Sequence, residues 1–336
     1  MNLNQTNLWR AGWLSVFVLI LLGCFVASIL FGSTRYEWSA AWASIVHYDE
    51  NVNEQIILRT TRLPRACIAS AVGASLAIAG ALMQTLTRNP LASPSVLGVN
   101  AGASFLVVLA AVTFSVSSLQ VLMWTAFIGA ALGAVTVYML GSIGRDGLTP
   151  LKIVLAGAAM TALFSSFTQA VLVLNQQGIG TVLFWLTGTI AGRSPDFLIT
   201  VLPYMAAAWV AAWLISKDMN VLQMGEETAK GLGQKTVLVK SLAGLFIVVL
   251  AGCSVSVAGP IGFIGIVIPH ISRFFGGLDH RWVIPYCGVL GAILLMLADI
   301  GARFIAIPEE MPVGVMTAII GVPFFVYIAR RGLAQS

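Results

Sequence analysis

Long apolar runs separated by short polar clusters set the pattern of this chain. Ten runs can be read, at roughly 11–32, 66–86, 95–114, 120–142, 151–174, 197–215, 236–257, 261–276, 283–304 and 313–329. A helix needs about 20 apolar residues to cross a hydrocarbon core of about 30 Å, and most of the runs reach or approach that length. The eighth, 261–276, is the weakest, being short and interrupted by Pro269, His270 and Arg273. Most runs are apolar all round, so periodicity does not orient them. They are also too long and too uniform for the alternating strands of a barrel. The pattern predicts an all-α polytopic membrane protein of about ten transmembrane helices, in a single transmembrane domain over residues 1–336.

Composition supports that class. Hydrophobic residues make up 58% of the chain and charged residues 9%, with a mean hydropathy of +0.93. A soluble domain carries roughly 25% charged residues, so most of this surface must face lipid. "LLGC" at Leu21 to Cys24 is similar to a lipoprotein processing site, but the apolar run continues to Gly32, and a retained first helix is expected. Ten spans with an inner N-terminus put both ends in the cytoplasm. Twelve basic residues then lie inside and six outside, with every lysine inside, as the positive-inside rule asks. The net charge of +5 reflects this loop bias, not nucleic-acid binding. Half of the outer set falls in one stretch, "LRTTRLPRA", with Arg59, Arg62 and Arg65 at the mouth of a span. Pro64 biases Leu63 toward extended backbone, so Arg62 and Arg65 are expected to flank a fixed turn.

Two connections stand out as substantial. An outer loop covers about 33–62, with Trp38, Trp42 and Tyr48 suited to a membrane interface. An inner segment covers about 217–236, the most polar stretch of the chain, and predicts a short helix from about Glu226 to Leu232 ended by Gly233. Glycines recur at close spacing, as Gly73 with Gly80, Gly98 with Gly102 and Gly129 with Gly133, which suits close helix packing in lipid.

Candidate chemistry is sparse. Cys24, Cys67, Cys253 and Cys287 lie in or beside apolar runs and read as packing residues. His47, His270 and His280 are too dispersed to suggest a metal site. "GLGQKT" places Gln234 where a phosphate loop needs glycine before the lysine, so nucleotide binding by this chain is not expected. An ion-coupled secondary transporter would need intramembrane carboxylates or broken-helix ion sites, and only Asp299 approaches a span. A membrane-embedded enzyme would need a clustered nucleophile, base or metal set, and none can be read.

Three stretches carry a resemblance. They are "RTTRLPRACIASAVGASLAIAGALMQTLTRNPLASPSVLGVNAGA" (59–103), "MGEETAKGLG" (224–233) and the run from "AGPIGFIGIVIPHISRFFGG" to "MTAIIGVPFF" (258–325). Together they resemble the FecCD family, permease subunits of type II ABC importers for iron–siderophore complexes, haem and cobalamin. The resemblance implies ten helices per subunit and a type II importer permease fold. It also implies a second permease subunit, two cytoplasmic ATPase subunits that bind ATP and Mg, and an external solute-binding protein. No cofactor is implied for this chain. An iron(III)–siderophore complex is the implied cargo, with cobalamin and haem as alternatives, and the implied location is the bacterial plasma membrane.

The resemblance also assigns roles. Arg62, Arg65 and Arg303 would form an outward-facing docking site for acidic residues of the binding protein. Glu226, Glu227, Ala229, Lys230, Gly231 and Gly233 would contact the ATPase, with Ala229 and Leu232 expected to pack. Asn89 and Leu91 would form the inner gate, facing Thr149 and Pro150. From position alone, Thr168, Gln169, Asn175 and Gln176 are candidates for lining the pathway. Asp299 and Arg303, four residues apart, are expected to pair on one helix face. His270 and Arg273 are expected near the inner face in a structural or coupling role.

Overall fold

A computed structural model describes residues 3–32, 36–116, 118–143, 149–174, 185–305 and 309–333. Every regular element among them is helical. In chain order these are α1 (Leu3–Leu30), α2 (Trp38–Val46), α3 (Asn53–Ile57), α4 (Leu63–Thr87), α5 (Val99–Val108), α6 (Leu119–Ser142), α7 (Pro150–Leu174), α8 (Pro195–Leu214), α9 (Ser216–Gln223), α10 (Glu226–Gly231), α11 (Thr236–Ala258), α12 (Ile264–Gly276), α13 (His280–Ile305) and α14 (Val313–Leu333). Seven helical stretches are long and apolar enough to cross a membrane, and three shorter apolar ones lie at Val99–Thr113, Ile264–Gly276 and Val313–Ile328. These ten coincide with the ten runs of the sequence, the doubtful eighth included.

The bundle is organised around α4. Of the apolar window that holds α4, 89% is buried, against 6% for α1. Helices α8, α11, α12 and α13 surround it. Glycine makes this possible. A Cβ on Gly73 would strike the carbonyl of Gly291 on α13, and one on Gly80 the carbonyl of Gly265 on α12. The same device joins α5 to α6, where Gly102 meets Gly129 and Gly98 meets Gly133. In lipid, apolar burial does not drive helices together, so backbone approach and dispersion must. The closely spaced glycines of the sequence are these contact points.

Three features differ from expectation. First, the chain is helical from Asn53, which shortens the outer loop, and Leu63 sits at φ −63 and ψ −50 instead of extended. A widened π turn over Leu58–Arg62 precedes it. Pro64 therefore falls in the first turn of the regular helix, where its missing N–H breaks no α-helical bond. Second, residues 185–191, which lie between the fifth and sixth apolar runs, fold back into the core. Trp185, Thr189 and Ile190 are buried. The Thr189 N–H donates to the Ala258 carbonyl at 2.8 Å, and the Gly314 N–H to the Gly188 carbonyl at 3.0 Å. Non-helical backbone survives at such depth only when protein covers it and satisfies its polar groups. Third, the polar segment 217–236 holds two helices, α9 and α10, not one.

In the remaining outer loop, α2 buries Ala41 and Ser44 and exposes Trp38 and Trp42, whose rings stack 6.4 Å apart. That amphipathic arrangement suits a helix lying at the bilayer surface.

Candidate functional site

At one end of the bundle three arginines and two carboxylates form a cluster drawn from four segments. Asp299, fully buried, accepts from Arg65 Nε at 2.9 Å and Nη2 at 2.8 Å, and from Arg303 Nη2. Arg65 Nη1 reaches Glu310 at 2.6 Å. Arg303 Nη1 donates to the Ser28 carbonyl at 2.7 Å, and Arg62 Nη1 to the Phe31 carbonyl at 2.6 Å. Helix α1 ends here, and its last carbonyls lack helical donors, so the arginines cap it. The sequence pairing of Asp299 with Arg303 is present. The free outward surface expected of Arg62, Arg65 and Arg303 is not, since they are only 6%, 7% and 2% exposed. Their charge is spent inside the molecule. Arg59, which the family motif omits, is the exposed arginine of that stretch, lying 4.3 Å from the Tyr48 ring.

At the opposite end, α10 runs from Glu226 to Gly231, and Gly233 follows at φ +79, as the sequence predicts. Glu226 is a strut: it accepts from Lys240 on α11 at 2.6 Å and from Lys230 at 3.1 Å. The hydrogen bond from Lys240 leads, with Lys230 adding to it, in holding the Glu226 carboxyl below its usual range. The packing expectation is half right. Ala229 is fully buried and so cannot be a contact residue, while Leu232 is 66% exposed. Met224 is 68% exposed as well, and with Glu227 and Lys230 these form the presented surface. Sequence reasoning missed Met224 because an isolated methionine carries no signal until its exposure is known.

Between the spans, "RNPLASP" makes a tight turn. Arg88 takes left-handed backbone at φ 50, and the Asn89 N–H donates to the Gln84 carbonyl at 3.1 Å. Asn89 Oδ1 accepts from the Leu91 N–H at 2.9 Å, so this side chain shapes the turn. Asn89 is exposed and Leu91 half-buried. Thr149 and Pro150 open α7, the Thr149 carbonyl accepting from the Ile153 N–H at 3.1 Å. Helix α7 meets the segment after this turn further on, where Gly157 packs against the Val96 carbonyl. Across the turn, Pro94 packs on Gly265 of the glycine-rich entry to α12. In that entry Phe263 holds φ +67, rare for a bulky residue, and its ring fills the space beside Gly321 of α14. His270 hydrogen-bonds the Ile266 carbonyl of its own helix at 2.9 Å, and Arg273 donates to Gln84 at 2.5 Å. Both therefore stay in the structural framework.

Of the pathway candidates, Thr168 is buried and donates its hydroxyl to the Phe164 carbonyl at 2.7 Å, which removes it as a lining residue. Gln169 is exposed. Asn175 and Gln176 lie outside the described residues.

A helical bundle with capped, non-helical backbone buried at its core and a braced protrusion at one end defines a polytopic membrane permease. The chain belongs to the FecCD transport family, whose model matches residues 19–331. It is 55% identical over 315 residues, 94% of each chain, to a probable siderophore transport system permease protein of Bacillus subtilis (strain 168). It is 44% identical to the iron(3+)-hydroxamate import system permease protein of the same organism, covering 93% of this chain and 81% of that one. A ferric enterobactin transport system permease protein of Escherichia coli (strain K12) is 38% identical over 94% of this chain and 93% of its own. The fold matches a solved structure described as an inward-facing conformation of a metal-chelate type ABC transporter. The TM-score is 0.84 at 27% identity, covering 96% of this chain and 99% of that one.

Proposed function

We propose that this chain is the membrane-spanning permease subunit of an importer that carries an iron(III)–siderophore complex into the bacterial cytoplasm. A separate ATPase supplies the energy and an external binding protein delivers the cargo. The observation that carries this reading is the braced helix α10. A short helix tied to α11 through Glu226 and Lys240 can transmit force, while Met224, Glu227, Lys230 and Leu232 offer apolar knobs and charge to a partner groove. Both termini and α10 are placed in the cytoplasm, in keeping with the bias of lysine and arginine. The arginine-rich end then faces outward. There Arg59 takes the docking role first assigned to its buried neighbours, and Arg62, Arg65 and Arg303 hold the surface in shape. The siderophore cargo is favoured because the relatives above bear siderophore or ferric-chelate names.

The test is reconstitution of the permease with its ATPase in proteoliposomes, with the binding protein and a radiolabelled ferric siderophore. Uptake should require ATP and the binding protein. Leu232→Asp should release the ATPase from the purified permease. Uptake driven by a proton or sodium gradient alone would overturn the reading.

A further inference from the structure

We infer that His280 is a positioning residue, which carries movement of the cytoplasmic segment α9–α10 to the inner gate. The proposal rests on the reading of α10 as the ATPase contact. It is carried by a chain of buried hydrogen bonds that links three separate elements.

His280 opens α13 and is 1% exposed. Its Nδ1 lies 2.8 Å from Asn220 Oδ1 on α9, and its Nε2 lies 2.7 Å from Thr85 Oγ1 on α4. Asn220 Oδ1 also accepts from the His280 backbone N–H at 2.8 Å, while Asn220 Nδ2 donates to Asp279 Oδ1 at 2.8 Å. These partners fix the directions. An ionised carboxylate can only accept, so the Asn220 NH2 faces Asp279 and its oxygen faces His280. His280 must then donate from Nδ1. In the neutral ring Nε2 can only accept, so the Thr85 hydroxyl proton goes to it at 2.7 Å in preference to the Ala81 carbonyl at 3.1 Å. The chain then runs from α9 to α4.

The Thr85 end of this chain is the last turn before the gate. The Thr85 carbonyl accepts from the Arg88 N–H at 3.3 Å, and the Gln84 carbonyl accepts from the Asn89 N–H. Those two bonds start the turn that carries Asn89 and Leu91. The Gln84 side chain is itself held from α12 by Arg273. A shift of α9 therefore pulls through Asn220 and His280 on the residue whose carbonyl anchors the gate turn. A hydrogen-bonded chain suits this task because buried polar groups must keep their partners, so the elements move together or the bond breaks at a cost. Helix α10 also reaches α11 through Glu226 and Lys240. The relay through His280 is a polar link from α9 to α4.

Thr85→Val cuts the relay at its gate end with almost no change of shape. In the reconstituted complex, transport should fall by about tenfold while ATP hydrolysis stays within about twofold, the size expected for one buried bond. Thr85→Ser, which restores the hydroxyl, should recover transport. Spin labels at Lys217 on α9 and at exposed Arg88 in the gate turn read the movement directly. On adding a non-hydrolysable ATP analogue both should respond with Thr85 intact, and only Lys217 should respond in Thr85→Val. Undiminished transport in Thr85→Val, an Arg88 response that survives it, or a parallel loss of transport and hydrolysis would each overturn the relay. The underlying reading fails differently: no response at Lys217 even in the unmodified complex, with the ATPase bound.

Discussion

Single residues decide how the arginine cluster and Asp279 behave. Asp299 is buried and faces both Arg65 and Arg303, so Asp299→Ala strips buried Arg303 of its carboxylate and leaves Arg65 with Glu310 alone. Removing one partner of a buried pair costs about 3–5 kcal/mol, whereas an exposed pair is worth up to about 1 kcal/mol. Asp299→Ala should therefore lower the thermal unfolding temperature sharply in detergent. Glu310→Gln, at a side chain 34% exposed, should barely move it. Equal effects would mean that the cluster does not act as a clamp. Asp279 gives a pH signature. Burial would raise its pKa, but hydrogen bonds from Arg281 and Asn220 outweigh that and hold it at about 2. A depressed acid contributes stability that is present above its unfolded value of about 4 and is lost as pH falls toward 2. Stability owed to Asp279 should then be flat from pH 5 to pH 8 and decline only below about pH 4. Thermal melts of Asp279→Asn should lack that acid decline; a difference that grows between pH 5 and pH 8 would refute the assignment.

At the scale of elements, the glycine contacts make a sharp contrast. Gly73 and Gly80 of α4 meet backbone carbonyls, while Gly12 and Gly23 of α1 have nothing within 4 Å. Overpacking a filled contact costs typically 1–3 kcal/mol, and more when backbone cannot yield. Gly80→Val should cut the yield of folded permease several-fold and expose it to protease, and Gly23→Ala should not; size-exclusion recovery after extraction measures both. These elements also mark what sequence can and cannot reveal. Ten spans were legible because each needs its own uninterrupted apolar run, and α12 was doubtful because Pro269 and Arg273 break its run while neighbouring helices cover them. Glycine spacing hinted at contacts but not at partners, since Gly73 finds Gly291 more than 200 residues away. The re-entrant backbone at 185–191 was hidden for the same reason. "TGTIAGR" reads as a turn until Ala258 and Gly314 are seen to satisfy its polar groups. The exposure expected of Arg62, Arg65 and Arg303 was not legible in the sequence, because they are buried. Charge excess on one side is a property of sequence, but its neutralisation by Asp299 and Glu310 is a property of packing.

For the whole molecule, the exposed faces of the long helices differ in kind, and the difference locates the pathway. Helix α6 exposes Ile128, Leu132, Val135 and Met139, large apolar side chains suited to acyl chains. Helix α7 has 17% of its window buried and the lowest hydropathy of the seven long stretches, at 1.5. Along it, exposed Ala159, Ala162, Ser166 and Gln169 fall on one face at helical spacing, which large exposed Leu151, Leu155 and Val173 share toward its two ends. Small and polar residues are poor solvents for lipid, and polar groups inside a membrane usually face a partner or a watery cavity. We extend the expectation that Gln169 lines the pathway to the Ser166–Gln169 end of this face, as a proposal that accessibility can test. Cysteines placed at Ser166 and Gln169 should react with a charged, membrane-impermeant thiol reagent in the assembled transporter. Bound ferric siderophore should protect them. Cysteines at Ile128 and Leu132 should stay unreactive, because they face lipid and a charged reagent does not enter it. Native Cys253 and Cys287 are buried and leave a quiet background for the measurement, once Cys24 and Cys67 are replaced. Reactivity at Ile128 matching that at Gln169 would place water on the α6 face instead and move the pathway there.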